Sequence, residues 1–148
     1  MVACAPADPD AIEARGLIAE LDAALAAICG DSGAQSFDAN DVRGPRSVFL
    51  VARDAAGSAV GCGALRPLDE DVAEVKRMYA RPGSGAGVQL LGELERRALG
   101  FGYRAIWLET RKVNGRAVAF YERHGYRIIP NYGKYVGRED AVCLGKVL

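Results

Sequence analysis

The chain has 148 residues, half of them hydrophobic, and its 19 Lys and Arg are balanced by 19 Asp and Glu. That length is typical of one domain around one core, so we expect a single domain over residues 1–148. Zero net charge provides no global field that would attract nucleic acid or an anionic membrane. No apolar run approaches the roughly 20 residues of a membrane-spanning helix. Residues 1–9 also lack the pattern of a signal peptide, which predicts a cytoplasmic protein.

The metal-binding and disulfide-forming residues are sparse. The four cysteines are far apart and form no C-x-x-C pair, which argues against a zinc knuckle and a disulfide framework. We expect them to be reduced and mostly buried. His124 is the single histidine, so a histidine-rich metal site cannot form and no metal is predicted.

The first third of the chain predicts a helix followed by a long loop. Asp8 is a suitable cap and Pro9 a suitable first helical residue, and Gly30 is expected to end the helix. Residues 31–46 are rich in Gly, Asp, Ser and Asn, which predicts a loop with one short helical turn, long enough to cover a substrate. The apolar residues predicted to share one face of the helix are Ile18, Leu21, Leu25 and Ile28.

The middle of the chain predicts three strands. Residues 48–52 and 59–65 flank a turn and form an antiparallel hairpin. The glycines inside the second strand indicate a bulge or a close neighbour. Residues 72–80 form a third strand of mixed polarity, with one face buried and the other presented to a site.

The remaining elements alternate between helix and strand. We predict helices over residues 87–99 and 114–123, the second capped by Asn114, with a buried strand at 105–109 between them. Two further strands, at 126–129 and 141–147, close the sheet. The inward face of the first of these helices is predicted to carry Val88, Leu91, Leu94, Ala98 and Leu99.

Three glycines lie between the third strand and the next helix. Gly83, Gly85 and Gly87 allow the backbone to approach an anion, and the free N–H groups of a helix start attract it. A flexible turn is the alternative interpretation. Gly87 is followed by Val88 rather than by Lys, which excludes a Walker loop, and no register completes G-x-G-x-x-G. The pattern therefore predicts a different site for a phosphate-bearing cofactor.

The motifs taken in order resemble the GNAT superfamily of acyl-CoA-dependent N-acyltransferases, especially its small bacterial members, over nearly the whole chain. The resemblance implies a mixed α/β fold in which a splayed central sheet is flanked by helices. It also implies acetyl-CoA as the acyl donor, wedged between the strand ending at Tyr79 and the strand ending near Glu109. The segments that carry it are Gly61–Arg66, Glu74–Tyr79, Gly85–Gly87, Asn114, Tyr121–Tyr126, Asn131–Gly133 and Val142–Leu144.

The resemblance also implies roles for individual residues. Main-chain groups of Met78 and Ala80 would bond the pantetheine arm, with Tyr79 between them. N–H groups from Gly85 to Val88 would hold the pyrophosphate. The remaining implied contacts are the turn residues Gly83, Ser84, Ala86 and Gly87, and the helix residues Asn114, Ala117, Phe120 and Tyr121, of which Tyr121 faces the sulfur.

Two features depart from the family pattern. Pro82 stands where the family has Gln or Arg, and Arg81, one place earlier, is a candidate replacement. The first strand of the family is nearly absent, since only residues 1–5 can supply it. Weaker binding of coenzyme A is the expected consequence of the first departure.

Acyl transfer to an amine requires removal of a proton from the amine and protonation of the leaving thiolate. Glu74 is the candidate base, directly or through water, and the alternative is that it is half of an ion pair. Tyr121 is the candidate acid, and the alternative is a tyrosine packed in the core. A main-chain N–H near Met78 or Tyr79 is the candidate oxyanion donor. His124 precedes a helix-ending glycine, where it complements the helix dipole rather than acting in catalysis.

The sequence thus predicts an acetyl-CoA-dependent N-acetyltransferase that acts by direct attack on a primary amine of a small molecule. One alternative is an acyl-CoA-binding module with little turnover, and another is a protein N-terminal or lysine acetyltransferase. Tyr132 and Tyr135 are expected either to line the acceptor pocket or to make packing or dimer contacts. Pairing of the last strands in a homodimer is a further expectation from the resemblance.

Overall fold

The computed structural model describes residues 1–34 and 37–148. Three helices, two short 3-10 turns and seven strands make up this part of the chain. The strands are β1 (Ala3–Pro6), β2 (Val48–Arg53), β3 (Ala59–Pro67), β4 (Val72–Ala80), β5 (Ala105–Arg111), β6 (Arg127–Ile129) and β7 (Ala141–Val147). The helices are α1 (Ile12–Cys29), α2 (Ala86–Gly100) and α3 (Gly115–Arg123), and the 3-10 turns are Ala39–Val42 and Gly133–Tyr135.

The strands form one mixed sheet in the order β1-β2-β3-β4-β5-β7-β6. Every neighbouring pair is antiparallel except β4 and β5, which are parallel and joined by α2. The predicted mixed α/β fold with a central sheet and flanking helices is confirmed.

The two faces of the sheet carry separate apolar cores because side chains alternate along a strand. On one face, Leu50 of β2 packs with Leu90 and Leu94 of α2. On the other face, Phe49 and its neighbours pack with Leu17 of α1. The sheet is therefore sandwiched between α1 on one side and α2 with α3 on the other.

The parallel pair β4 and β5 separates soon after it forms. Pairing covers only Val72–Glu74 against Ala105–Trp107. Beyond Glu74, β4 continues to pair with β3, and β5 continues to pair with β7 as far as Arg111. A wedge-shaped gap consequently opens in the middle of the sheet, as the splayed arrangement predicts.

A β-bulge lies on β4 beside this gap. Cys62 pairs with Tyr79 and Ala64 with Lys76, so Gly63 faces two residues of β4. Arg77, one of these two, has a φ of 54°, a left-handed conformation that is uncommon outside glycine. The extra residue bends the strand and increases its twist, which directs β4 away from β5.

The strand glycines are explained by close neighbours, as predicted. A Cβ on Gly61 would lie 2.8 Å from the Tyr79 carbonyl oxygen and 2.9 Å from Leu90 Cδ1. A Cβ on Gly63 would lie 2.7 Å from the sulfur of Met78. These glycines let α2 and the bulge approach β3, and so position both elements beside the gap.

Several sequence predictions about local structure are wrong. The first strand is present, because Ala3–Pro6 pairs in register with β2. Asp8 does not cap α1: its carboxylate accepts the Asp10 N–H in a preceding turn, and Ala11 occupies the cap position without a side-chain bond. Ile28, Val88 and Leu99 are exposed rather than inward.

The inward faces are instead formed by Ala14, Leu17 and Leu21 in α1, and by Ala86, Leu90, Leu91, Leu94 and Ala98 in α2. The short helical turn predicted in residues 31–46 is confirmed at Ala39–Val42, while residues 35 and 36 of that loop lie outside the described part. Asn114 caps α3 as predicted, accepting the Ala117 N–H at 3.4 Å.

Candidate active site

The gap between β4 and β5 holds a cavity of about 130 Å³. Its walls come from both strands, from α1 and the loop after it, from α3, and from Tyr135. Main-chain groups of β4 that face the gap beyond Glu74 have no strand partner among the described residues, so an extended ligand with amide groups could bond them as an added strand. Of the predicted site residues, Glu74, Met78, Asn114, Ala117 and Tyr121 line the cavity.

Tyr121 projects from α3 into this cavity. Tyr121 is 7% exposed, and its ring packs edge-on against the rings of Phe120 and Tyr126. Its hydroxyl has no hydrogen-bond partner within residues 1–34 and 37–148. Burial raises the pKa of Tyr121 above its ordinary value, so the phenol is protonated at neutral pH.

The start of α2 lies at the outer end of the gap. Gly83 and Gly85 have φ values of 77° and 71°, which favours glycine at both positions. The first four N–H groups of a helix lack intrahelical partners, and here they run from Gly85 to Val88. The Ala86 N–H donates to Ser84 Oγ at 3.2 Å. The remaining donors and the helix dipole suit an anion.

Three predicted contact residues converge beside this helix start. A Cβ on Gly87 would lie 3.4 Å from the Phe120 ring and 3.9 Å from Ala80 Cβ. The absence of a side chain at Gly87 therefore lets α3, β4 and α2 meet at the mouth of the gap. The turn is a defined left-handed structure, which argues against the alternative of a flexible connector.

The side chains of Tyr79 and Arg81 point elsewhere. The Tyr79 hydroxyl donates to Glu20 of α1 at 3.0 Å, so only its main chain is available to the gap. Arg81 forms an ion pair with the same Glu20 carboxylate at 2.7 Å. In this structure the guanidinium of Arg81, the candidate replacement for the residue at position 82, is therefore bonded to α1.

Glu74 lies at the inner end of the cavity and is 2% exposed. Arg66 donates to its Oε1 at 2.7 Å, and the Tyr132 hydroxyl donates to its Oε2 at 2.6 Å. The ion-pair alternative is thus realised in the structure. A carboxylate offers about four lone-pair sites, so the group retains capacity to accept a bond from an amine or a water.

Several charged residues of this cavity were missed by the sequence prediction, among them Lys76 and Glu109. Lys76 is 8% exposed, and burial lowers its pKa to about 8. Glu109 of β5 is bonded by Arg111, and burial raises the pKa of its carboxyl. Strand alternation contained the signal for Lys76, since it lies two residues from both Glu74 and Met78.

The two loop tyrosines lie at the cavity, whereas the histidine lies outside it. Tyr135 lines the cavity, and Tyr132 reaches it through its bond to Glu74. His124 packs on Phe120, with Nδ1 2.7 Å from the Phe120 carbonyl oxygen. His124 does not line the cavity, in agreement with the structural role expected from its position.

Among the described residues, no group of three or more His, Cys, Asp and Glu has an arrangement that could hold a metal ion. The four cysteines are free thiols. No helix within residues 1–34 and 37–148 has the length and apolar character to traverse a bilayer.

The sequence profile of the Acetyltransferase (GNAT) family matches residues 15–126. An uncharacterized N-acetyltransferase of Schizosaccharomyces pombe is 35% identical over 92 residues, covering 60% of this chain and 56% of the relative. The matched region thus spans little more than half the length of that curated relative.

Solved structures resemble the whole chain. A candidate acyl-CoA N-acyltransferase of Klebsiella pneumoniae is 29% identical and superposes with a TM-score of 0.84, covering 100% of this chain and 98% of the other. A GNAT family acetyltransferase of Elizabethkingia anophelis, solved with acetyl-CoA bound, has 16% identity and a TM-score of 0.71 over 99% and 98% of the two chains. The second likeness concerns the fold alone.

Proposed function

Because the chain belongs to the Acetyltransferase (GNAT) family, we propose that it transfers the acetyl group of acetyl-CoA to a primary amine of a small molecule. The observation that supports this most strongly is the gap between β4 and β5, whose wall includes Tyr121. The gap has unpaired strand edges on one side and a helix N-terminus at its mouth. Those two features match the amides and the pyrophosphate of coenzyme A.

In this proposal, β4 binds the pantetheine arm through main-chain groups of Met78 and Ala80. The N–H groups of Gly85, Gly87 and Val88 bind the pyrophosphate. Asn114 and Ala117 line the opposite wall, and Phe120 closes the mouth against Gly87. The thioester then lies between the bulge of β4 and Tyr121.

The chemistry follows from these positions. The amine attacks the thioester carbonyl, and the N–H of Met78, next to the bulge, stabilises the oxyanion. Glu74 accepts the amine proton directly or through water. Tyr121 donates its proton to the departing thiolate, whose conjugate acid has a pKa of about 8.5 in water. The amine becomes an acetamide, coenzyme A leaves as a thiol, and no covalent enzyme intermediate forms.

The test mixes the protein with acetyl-CoA and a panel of amines, and follows free thiol together with the mass of the product. We expect amine-dependent thiol release and a product heavier by one acetyl group. Tight binding of acetyl-CoA without amine-dependent release would support the acyl-CoA-binding module instead. Acetylation of peptides but of no small amine would support the protein acetyltransferase.

A further inference from the structure

The inner end of the cavity contains a buried cation whose hydrogen-bonding capacity is largely unused. Lys76 lines the cavity, and its side chain is 6% exposed. Its Nζ donates to the Tyr135 hydroxyl at 3.0 Å. The nearest carboxylate oxygen in an ion pair with it, Glu74 Oε1, is 3.9 Å away, beyond hydrogen-bonding distance. An ammonium has three N–H donors, so two find no acceptor among the described residues.

The carboxylates around Lys76 already have other partners. Glu74 is bonded by Arg66 and Tyr132, and Glu109 is bonded by Arg111. Neither makes a hydrogen bond to Lys76. Burying a charge without a hydrogen-bonded counter-charge costs free energy. A ligand of opposite charge that binds beside such a group would reduce this cost.

Resting on the function proposed above, we propose that Lys76 binds a carboxylate of the acceptor, so that the substrate is an amine that also carries a carboxylate. The two unused N–H donors suit the two oxygens of such a group. The ring of Tyr135 lies 5.7 Å from Nζ and forms part of the cavity wall. The acceptor would thus be held at the inner end, with its amine directed toward the thioester beside Met78.

The experiment compares three pairs of acceptors that differ by a carboxylate: leucine and isopentylamine, phenylalanine and phenethylamine, lysine and cadaverine. We expect kcat/KM to be about 10- to 100-fold higher for the acid in at least one pair, as expected for charge-assisted hydrogen bonds. Lys76→Met should abolish that ratio, and Lys76→Arg should restore part of it. Lys112→Met, which changes an exposed lysine outside the cavity, is the matched control and should retain the ratio.

The outcomes separate the two proposals. Turnover of amines with no preference for an acid in the wild-type protein, or a preference that survives Lys76→Met, overturns the carboxylate subsite and leaves the acetyltransferase intact. If no amine is turned over, binding of the same three acids to the protein with coenzyme A is measured by calorimetry. Binding that Lys76→Met abolishes then supports the subsite, and absence of binding overturns it.

Discussion

Tyr121→Phe removes the hydroxyl to which we assign the proton for the leaving thiolate. The substitution keeps the ring and its edge-on contacts with Phe120 and Tyr126. The lost hydroxyl has no hydrogen-bond partner among the described residues, so the free energy of unfolding should change by no more than about 0.5 kcal/mol. General acid catalysis typically contributes about 10²- to 10⁴-fold. At 1.36 kcal/mol per tenfold, the loss of transition-state stabilisation is about 3 to 5 kcal/mol.

The assay measures kcat and both KM values by thiol release, together with thermal unfolding. We expect kcat to fall at least about 100-fold while acetyl-CoA affinity stays within about threefold. Tyr126→Phe is the matched control, because the Tyr126 hydroxyl bonds Glu95 at 2.9 Å rather than facing the reaction. Its kcat should be unchanged, although stability falls by about 1 kcal/mol. A wild-type kcat in Tyr121→Phe would remove Tyr121 from the mechanism.

Three further predictions concern packing, proton transfer and pH. Gly61→Ala should destabilise the fold by about 1 to 3 kcal/mol, because its Cβ would lie 2.8 Å from the Tyr79 oxygen. Gly92→Ala should not destabilise the fold, because a Cβ at that position would lie in open space. Equal melting temperatures for the two variants would contradict the close packing around Gly61. Glu74→Gln should lower kcat/KM for the amine about 100-fold at constant acetyl-CoA affinity, whereas an unchanged value would reduce Glu74 to an ion-pair partner. Binding of 4-methylpentanoate, a carboxylate without an amine, should weaken as pH rises through the pKa of Lys76 near 8, because the lysine loses its charge there. A Kd constant from pH 6 to pH 10 by calorimetry would contradict the lysine subsite.

That pH dependence reflects all the charges facing Lys76. Burial is the largest effect and lowers its pKa, while Arg66 of β3 and Lys134 of the β6–β7 loop lower it further. Glu74 of β4 and Glu109 of β5 act in the opposite direction and raise it. Below pH 8 the lysine stays charged, so the affinity for a carboxylate should be level there.

The strand pattern was predictable because hydrophobic alternation and turn residues are local. Residues 72–80 and 141–147 were predicted with the bounds that the structure has. The first strand was predicted to be nearly absent, with only residues 1–5 able to supply it, because Ala3–Pro6 has four residues with mostly exposed side chains. Pairing with β2 rather than its own pattern stabilises this strand. The exposed positions of Val88 and Leu99 in α2 depend on the angle at which the helix meets the sheet, which periodicity does not fix.

The candidate site residues that belong to local sequence motifs could be predicted, but the side-chain partners that come from distant parts of the chain could not. Gly83, Gly85 and Tyr121 were singled out from spacing and resemblance. In the structure Tyr121 lines the gap, and both glycines have positive φ values in the turn before α2. The engagement of Arg81 by Glu20 spans 61 residues of sequence. The contact between Lys76 and Tyr135 spans 59. Neither contact leaves a local pattern in the sequence, so the surroundings of the Lys76 ammonium are evident only in the three-dimensional structure.

The most direct measurement of the central claim is a crystal structure of the protein with coenzyme A. The account predicts the pantetheine arm in the gap between β4 and β5, with the pyrophosphate on the N–H groups of Gly85, Gly87 and Val88. The sulfur should lie within hydrogen-bonding distance of the Tyr121 hydroxyl. Coenzyme A bound outside this gap, or inside it with its sulfur away from Tyr121, would contradict the account.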